Sequence, residues 1–225
     1  MSDLPSLGRS GVQTVRRITG IDNPGYQKVD PDADIIAGMV AARTTDSNGN
    51  VILTPCNATT VPVAIFALHK TLNFYISVVD EAAVVAATIN LAHANVKNVG
   101  IVTSTGTQYV EKTNYTVNTT NGIVTNVNMT NASNVKISYL YKDTSTSGLD
   151  QTLPTGLITI FEGAGEIGTF IYDTTYAIAV NDLLRCNADG FLSTHSALTG
   201  KVCGIVVSPP SASNTEMIFR LNIEY

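Results

Sequence analysis

Three short runs decide the fold: IAVNDLL (178–184), NADGFLST (187–194) and KVCGIVV (201–207). The middle run places an Asp-Gly turn between apolar residues, and the outer two are β-branched and lack helical periodicity, so the trio reads as strand, turn, strand. The same plan occurs earlier in the chain. IIAGMV (35–40) matches the first run, SNGNVILT (47–54) the second and PVAIFA (62–67) the third. Gly190 stands 141 positions after Gly49, and Gly204 stands 140 after Ala64. Features repeating at one spacing predict two related β halves. Asn-Gly and Asp-Gly hairpins need φ > 0 at glycine, because a Cβ is strained there, so Gly49 and Gly190 are expected in equivalent left-handed conformations. The halves are expected to pack through these turns.

Between the halves lies an insert, residues 82–148, rich in Asn and poor in charge. Tyr115, Val117 and Thr119 alternate with Thr116, Asn118 and Thr120 before Asn121-Gly122, which predicts a hairpin. The run 135–141 (VKISYLY) alternates again and is expected to pair alongside it, giving a small antiparallel sandwich or meander. Thr144 to Gly148 read as a flexible return linker. The stretch 79–94 is dense in Ala and could form a helix, but Val84-Val85 and Thr88-Ile89 leave a strand equally open. Further on, 156–161 and 168–172 read as strands around a loop at Glu162–Glu166. The predicted organisation is therefore mainly β: an extended arm at 1–34, a discontinuous β domain at 35–81 and 149–225, and the inserted β subdomain. The arm lacks any period of 2 or 3.6. It holds Arg9, Arg16, Arg17 and Lys28, four of thirteen basic residues.

Only 14% of the residues are charged, against about 25% in ordinary soluble domains, and Thr and Asn fill the gap. A net charge of −5 argues against capture of nucleic acid, which needs a clustered cationic face. The N-terminus lacks the basic and apolar regions of a secretory signal, and no apolar run reaches the roughly 20 residues of a spanning helix. Cys56, Cys186 and Cys203 have no metal-ligand spacing and are expected as buried, reduced thiols. His69, His93 and His195 stand in unrelated contexts. The run Asp30-x-Asp32-x-Asp34 begins like a calcium loop, but Ile35 and Ile36 follow where Gly and further oxygen ligands should stand. Glu162–Glu166 lacks the Lys-Ser/Thr of a phosphate loop. No catalytic, metal or cofactor site is expected.

The repeated element, Asn181-Asp182-Leu-Leu, Asp189-Gly190-Phe-Leu and Val202-Cys-Gly204-Ile-Val-Val, resembles the head decoration (cement) proteins of tailed bacteriophages. The first copy keeps Gly38 but has Met39 where the family has Asp, and Ala64 where Gly is usual. The insert resembles a second phage pattern. It reads Gly106-Thr-Gln-Tyr109, then Asn114-Tyr115-Thr-Val117 and Asn121-Gly122-Ile-Val-Thr125, then Val135-Lys-Ile137-Ser-Tyr139-Leu-Tyr141; Asn114 and Asn118 replace the usual Asp. That module is common in phage virion structural proteins generally.

The resemblance implies a decoration-protein-like β domain and a non-enzymatic protein made in the bacterial host cytoplasm. It would bind the major capsid protein on the virion exterior as a homo-oligomer, with a trimer favoured. On this reading no cofactor, nucleic acid or membrane is involved, and Arg9, Arg16, Arg17, Tyr26 and Lys28 form a capsid-binding arm ordered only when bound. The alternatives are a tail, baseplate or fibre-attachment protein, and a carbohydrate-binding β module, which the lack of Trp disfavours.

Overall fold

The computed structural model describes residues 15–19, 24–68, 70, 73–147 and 156–223. These form eighteen strands and no helix. The first part carries β1 (Val15–Thr19), β2 (Pro24–Lys28), β3 (Val40–Thr45), β4 (Val51–Pro55) and β5 (Pro62–Phe66). The middle part carries β6 (Asn73–Val84), β7 (Thr88–Asn90), β8 (Val96–Thr103), β9 (Gln108–Tyr109), β10 (Tyr115–Asn118), β11 (Ile123–Asn126) and β12 (Asn134–Ser147). The last part carries β13 (Leu157–Phe161), β14 (Gly163–Thr169), β15 (Leu183–Cys186), β16 (Leu192–Ser193), β17 (Val202–Ser208) and β18 (Met217–Ile223). The protein is all-β.

Four sheets result, ordered β2-β13-β5-β3-β4, β1-β14-β18-β17-β15-β16, β6-β12-β8-β9 and β10-β11-β7. The five-stranded sheet curls until Val29, just after β2, bridges Leu53 of β4, and the Asp30 N–H donates to the Leu53 carbonyl at 2.9 Å. Curling in this way removes exposed edges. Its interior holds Leu53, Ala64, Phe66, Ile158 and Ile160.

The repeat is visible in the pairing. In the first half β3 lies between β4 and β5; in the second, β15 lies between β16 and β17. Ala41 faces Ala64 and Leu184 faces Gly204, and in both halves the register slips at the next residue. A bulge kept at the same place in both copies fixes the same local bend. Gly49 has φ 80° and Gly190 φ 88°, while Gly38 (98°) and Asn181 (70°) share the left-handed conformation at the start of each unit. The turns are longer than two-residue hairpins. Asp46 and Asn187 each head a turn closed by the Gly N–H, and the side-chain oxygen of each accepts two further backbone N–H groups. This is a type I turn followed by a left-handed residue, which keeps the demand for φ > 0.

Packing through the turns holds for one copy only. The Val40 N–H donates to the Gly190 carbonyl at 2.8 Å, so the second turn sits against the first half. A Cβ on Gly49 would meet nothing within 4 Å.

Several sequence readings are corrected. Val15–Thr19 pairs with β14 and Pro24–Lys28 with β13, so these two segments are built into the sheets and are not a free arm. Val15 is fully buried in the core shared by the two halves, which fixes that strand without any partner protein. The insert begins at Asn73, because β6 pairs with β12 from Asn73↔Ser147 to Asn134↔Val84. Residues 79–84 are therefore the end of β6 and Thr88–Asn90 forms β7, with no helix between them, and residues 144–147 belong to β12; Gly148 lies outside the described residues. β12 does not pair with the β10–β11 hairpin: it lies in the facing sheet, and the two sheets close over Tyr115, Ile137, Val124 and Ile101 as a sandwich. Glu162–Glu166 is mostly strand β14, not a loop, and β14 ends at Thr169.

Candidate functional site

The residues assigned to the arm fall on separate elements. Arg9 lies outside the described residues. Arg16 and Arg17 lie on β1, paired to Gly168 and Ile167 at the edge of the six-stranded sheet. Tyr26 and Lys28 lie on β2, paired to Thr159 and Leu157 in the five-stranded sheet. No ladder joins β1 to β2, so these residues share no sheet face. Deleting residues 2–28 would strip a strand from each of these two sheets and uncover their cores. That truncation is expected to abolish cooperative unfolding in circular dichroism.

The sheets create a groove the sequence did not advertise. The insert is fastened to the main body by polar contacts. Asn98 Nδ2 donates to the Tyr172 carbonyl (3.1 Å), Thr174 Oγ1 to Glu111 Oε2 (2.9 Å), Thr215 Oγ1 to Asp80 Oδ1 (2.6 Å) and Lys136 Nζ to the Ala212 carbonyl (3.2 Å). Leu140 of β12 reaches the core of the curled five-stranded sheet, so the two units also share apolar contact. Between them lies a cavity of about 380 Å³ lined by Asp34, Ile36, Met39, Lys97, Asn98, Asp189 and Phe191. It continues into about 140 Å³ beside Glu111, Asp173 and Asn187. These residues come from three stretches far apart in sequence, which is why no local motif marks them. Among the described residues, no group of three His, Cys, Asp or Glu is placed to hold a metal ion.

The aspartate run receives a cation from within the chain. Lys70 is buried, and its Nζ donates to the carbonyls of Pro31 (2.5 Å) and Ala33 (3.1 Å). The Asp30 carboxylate accepts the Asp32 N–H at 2.9 Å. An ammonium thus sits where a loop cation would. Lys70→Met keeps the apolar stem but leaves these carbonyls without their charged donor, a loss of about 2 kcal/mol. A lowered urea midpoint with an unchanged slope is the expected result.

The three cysteines are free and buried, and they converge in the core between the halves. A hydrogen bond between Cys56 and Cys186 lowers the Cys56 thiol to about 7 and raises that of Cys186, while burial pushes Cys203 up to about 12. His93 stacks on Tyr141 at 3.7 Å and His195 on Tyr176 at 4.1 Å; His69 lies outside the described residues. Both stacked imidazoles serve as aromatic packing.

Burial raises the phenols of Tyr115, Tyr139 and Tyr172 above their ordinary value, with Glu81 adding to the effect at Tyr139. A raised acid is favoured neutral in the folded state, so its stabilisation is full below about pH 10 and falls as pH rises beyond it. Ultraviolet titration should show these phenolates appearing together with loss of the β signal. Their ionisation in an intact fold would contradict the burial.

The structure places Gly38 and Asn181 at the repeat starts, Asp182 beside them, and Gly204 in β17. Asp182 Oδ2 accepts the Ala179 N–H at 2.7 Å, which closes the bend leading into β15. A Cβ on Gly204 would lie 2.6 Å from the Arg220 carbonyl. These residues, like Gly49, Gly122 and Gly190, shape backbone.

No curated protein and no solved structure matches the chain. A family model described as "Protein of unknown function UCP028589" matches residues 36–167, more than half of the chain, spanning the first β half, the insert and β13. The chain belongs to that family of proteins of unknown function.

Proposed function

We propose that the chain is a non-enzymatic virion structural protein that binds the outside of a phage capsid and stabilises it. The supporting observation is the strand–turn–strand unit built twice with the same bulge and the same left-handed glycine. That unit is the part of the sequence resembling head decoration proteins. The partner is the phage major capsid protein, and the copies act as a symmetric oligomer, a trimer by the resemblance. Affinity from backbone pairing and apolar contact, multiplied by symmetry, suits a surface with so few charges and withstands ionic strength better than salt bridges. Among the described residues β1, carrying Arg16 and Arg17, is the edge strand of its sheet and is open to such pairing. The insert, with a core of its own, favours a second reading as a tail, baseplate or fibre-attachment component, since its pattern is shared among virion proteins.

Co-sedimentation of the full chain with empty capsid shells tests the proposal. Saturable pelleting that persists at about 1 M salt, where the Debye length is only about 3 Å, is the expected result. No pelleting with shells at any salt concentration would overturn it.

A further inference from the structure

The three free cysteines form a cluster that the proposed role does not use. Cys186 stands 130 positions after Cys56, one in each β half, and the two meet in the shared core. Main-chain bonds hold them together. The Val40 carbonyl accepts the Cys56 N–H at 2.7 Å, and the Val40 N–H donates to the Gly190 carbonyl at 2.8 Å, at the end of the turn that Cys186 leads into. Their thiols are hydrogen-bonded to each other. The Cys56 sulfur also lies against a surface turn, 3.0 Å from Thr60 Oγ1 and 3.5 Å from the Asn57 carbonyl, and Asn57 and Thr59 are exposed. Lifting that turn opens the sulfur to a small solute. Cys203 is fully buried on β17, and its thiol donates to the Lys201 carbonyl at 3.8 Å.

We propose that Cys56 and Cys186 are an oxidisable pair, which a peroxide converts into a disulfide tying the two β halves together. Cys56 is the attacking group, because its contact with Cys186 lowers its thiol to about 7 and leaves much of it as thiolate at neutral pH. The thiolate attacks one peroxide oxygen, the O–O bond breaks, and a sulfenic acid forms on Cys56 with release of water. The Cys186 sulfur then attacks the Cys56 sulfur. Its proton leaves with the sulfenic hydroxyl as a second water, and the S–S bond closes. Two thiols lose two electrons, and one peroxide becomes two waters. Cys203, pushed up to about 12 by burial, stays a thiol. A glutathione-rich cytoplasm keeps such a pair reduced, and an oxidising exterior closes it. The closed loop holds the whole insert, so the bond constrains the unfolded chain strongly.

Treating the reduced, folded full chain with hydrogen peroxide tests the proposal, and it needs no capsid. The product should be about 2 Da lighter, through the loss of two hydrogens, with no link between chains. Tryptic cleavage after Arg185 and Lys201 puts Cys186 and Cys203 on separate peptides. The Cys56 peptide should be joined to the Cys186 peptide, while Cys203 remains open to alkylation in denaturant. The melting temperature should rise by about 10 °C and return to its starting value with dithiothreitol. Cys56→Ala, treated in the same way, should show neither the link nor the rise. Three alkylatable thiols after treatment, a link through Cys203 or between chains, or further oxygen added to an unlinked Cys56 would overturn the assignment. So would a linked chain that melts no higher than the reduced one.

Discussion

Gly190→Val is expected to lower the melting temperature by about 10 °C. Gly190 sits at φ 88°, where a β-branched residue is strained by about 1–3 kcal/mol. Its Cβ would fall 2.8 Å from Met39 Cε, 3.2 Å from the Cys56 carbonyl and 3.5 Å from Pro55 Cβ. Met39 can swing away, but the Cys56 carbonyl is backbone. Overpacking at such a site adds about 1–3 kcal/mol, and in a chain of this size each kcal/mol moves the midpoint about 2–4 °C. The same change at Gly49 has the strain without the contacts, so its shift should be well under half as large. Equal shifts at the two positions would mean that the second turn does not pack on the first half.

Gly122→Ala should be more damaging still, and it should act on the insert. Gly122 has φ 67°, and a Cβ there would lie 1.9 Å from the His93 carbonyl oxygen. No rotamer relieves a clash between a Cβ and a main-chain atom. The hairpin loop would have to lift off the segment it rests on. That breaks the bonds from the Leu91 N–H to Gly122, from Asn95 to Thr120 and from Val96 to Thr119. The expected loss is several kcal/mol, at the upper end for a single substitution. Hydrogen exchange should show lost protection in β7, β10 and β11. Protection kept there, with a wild-type melt, would contradict the placement of the loop.

What the sequence revealed and what it hid divide along one physical line. The turns were readable because their chemistry is local: an Asp or Asn side chain caps the backbone two and four residues on, and a glycine supplies φ > 0. The repeat was readable because two such turns recur with matching strands. β1 and β2 were hidden because their apolar content is thin and their partners, β14 and β13, lie more than a hundred residues away in sequence. β14 looked like a loop for its glycines. Gly168 is small for another reason: the Glu216 side chain lies where its Cβ would be, 2.2 Å away, so the glycine marks a close approach within a strand. The start of β6 was misplaced because its run from Asn73 to Val84 mixes strand and helix formers and takes its meaning from β12. Lys70 and the groove at Asn98 and Asp189 arise only from tertiary contact, and no spacing in the chain announces them.

The proposed role stands on where the protein sits in a particle. A reconstruction of the virion to which the proposed role would assign the chain, solved finely enough to trace strands, measures this directly. Density fitting the twin β units and the insert on the outer capsid lattice, repeated with its symmetry, is the result this account predicts. Density for the chain confined to the tail or baseplate, or none anywhere on the particle, would contradict it.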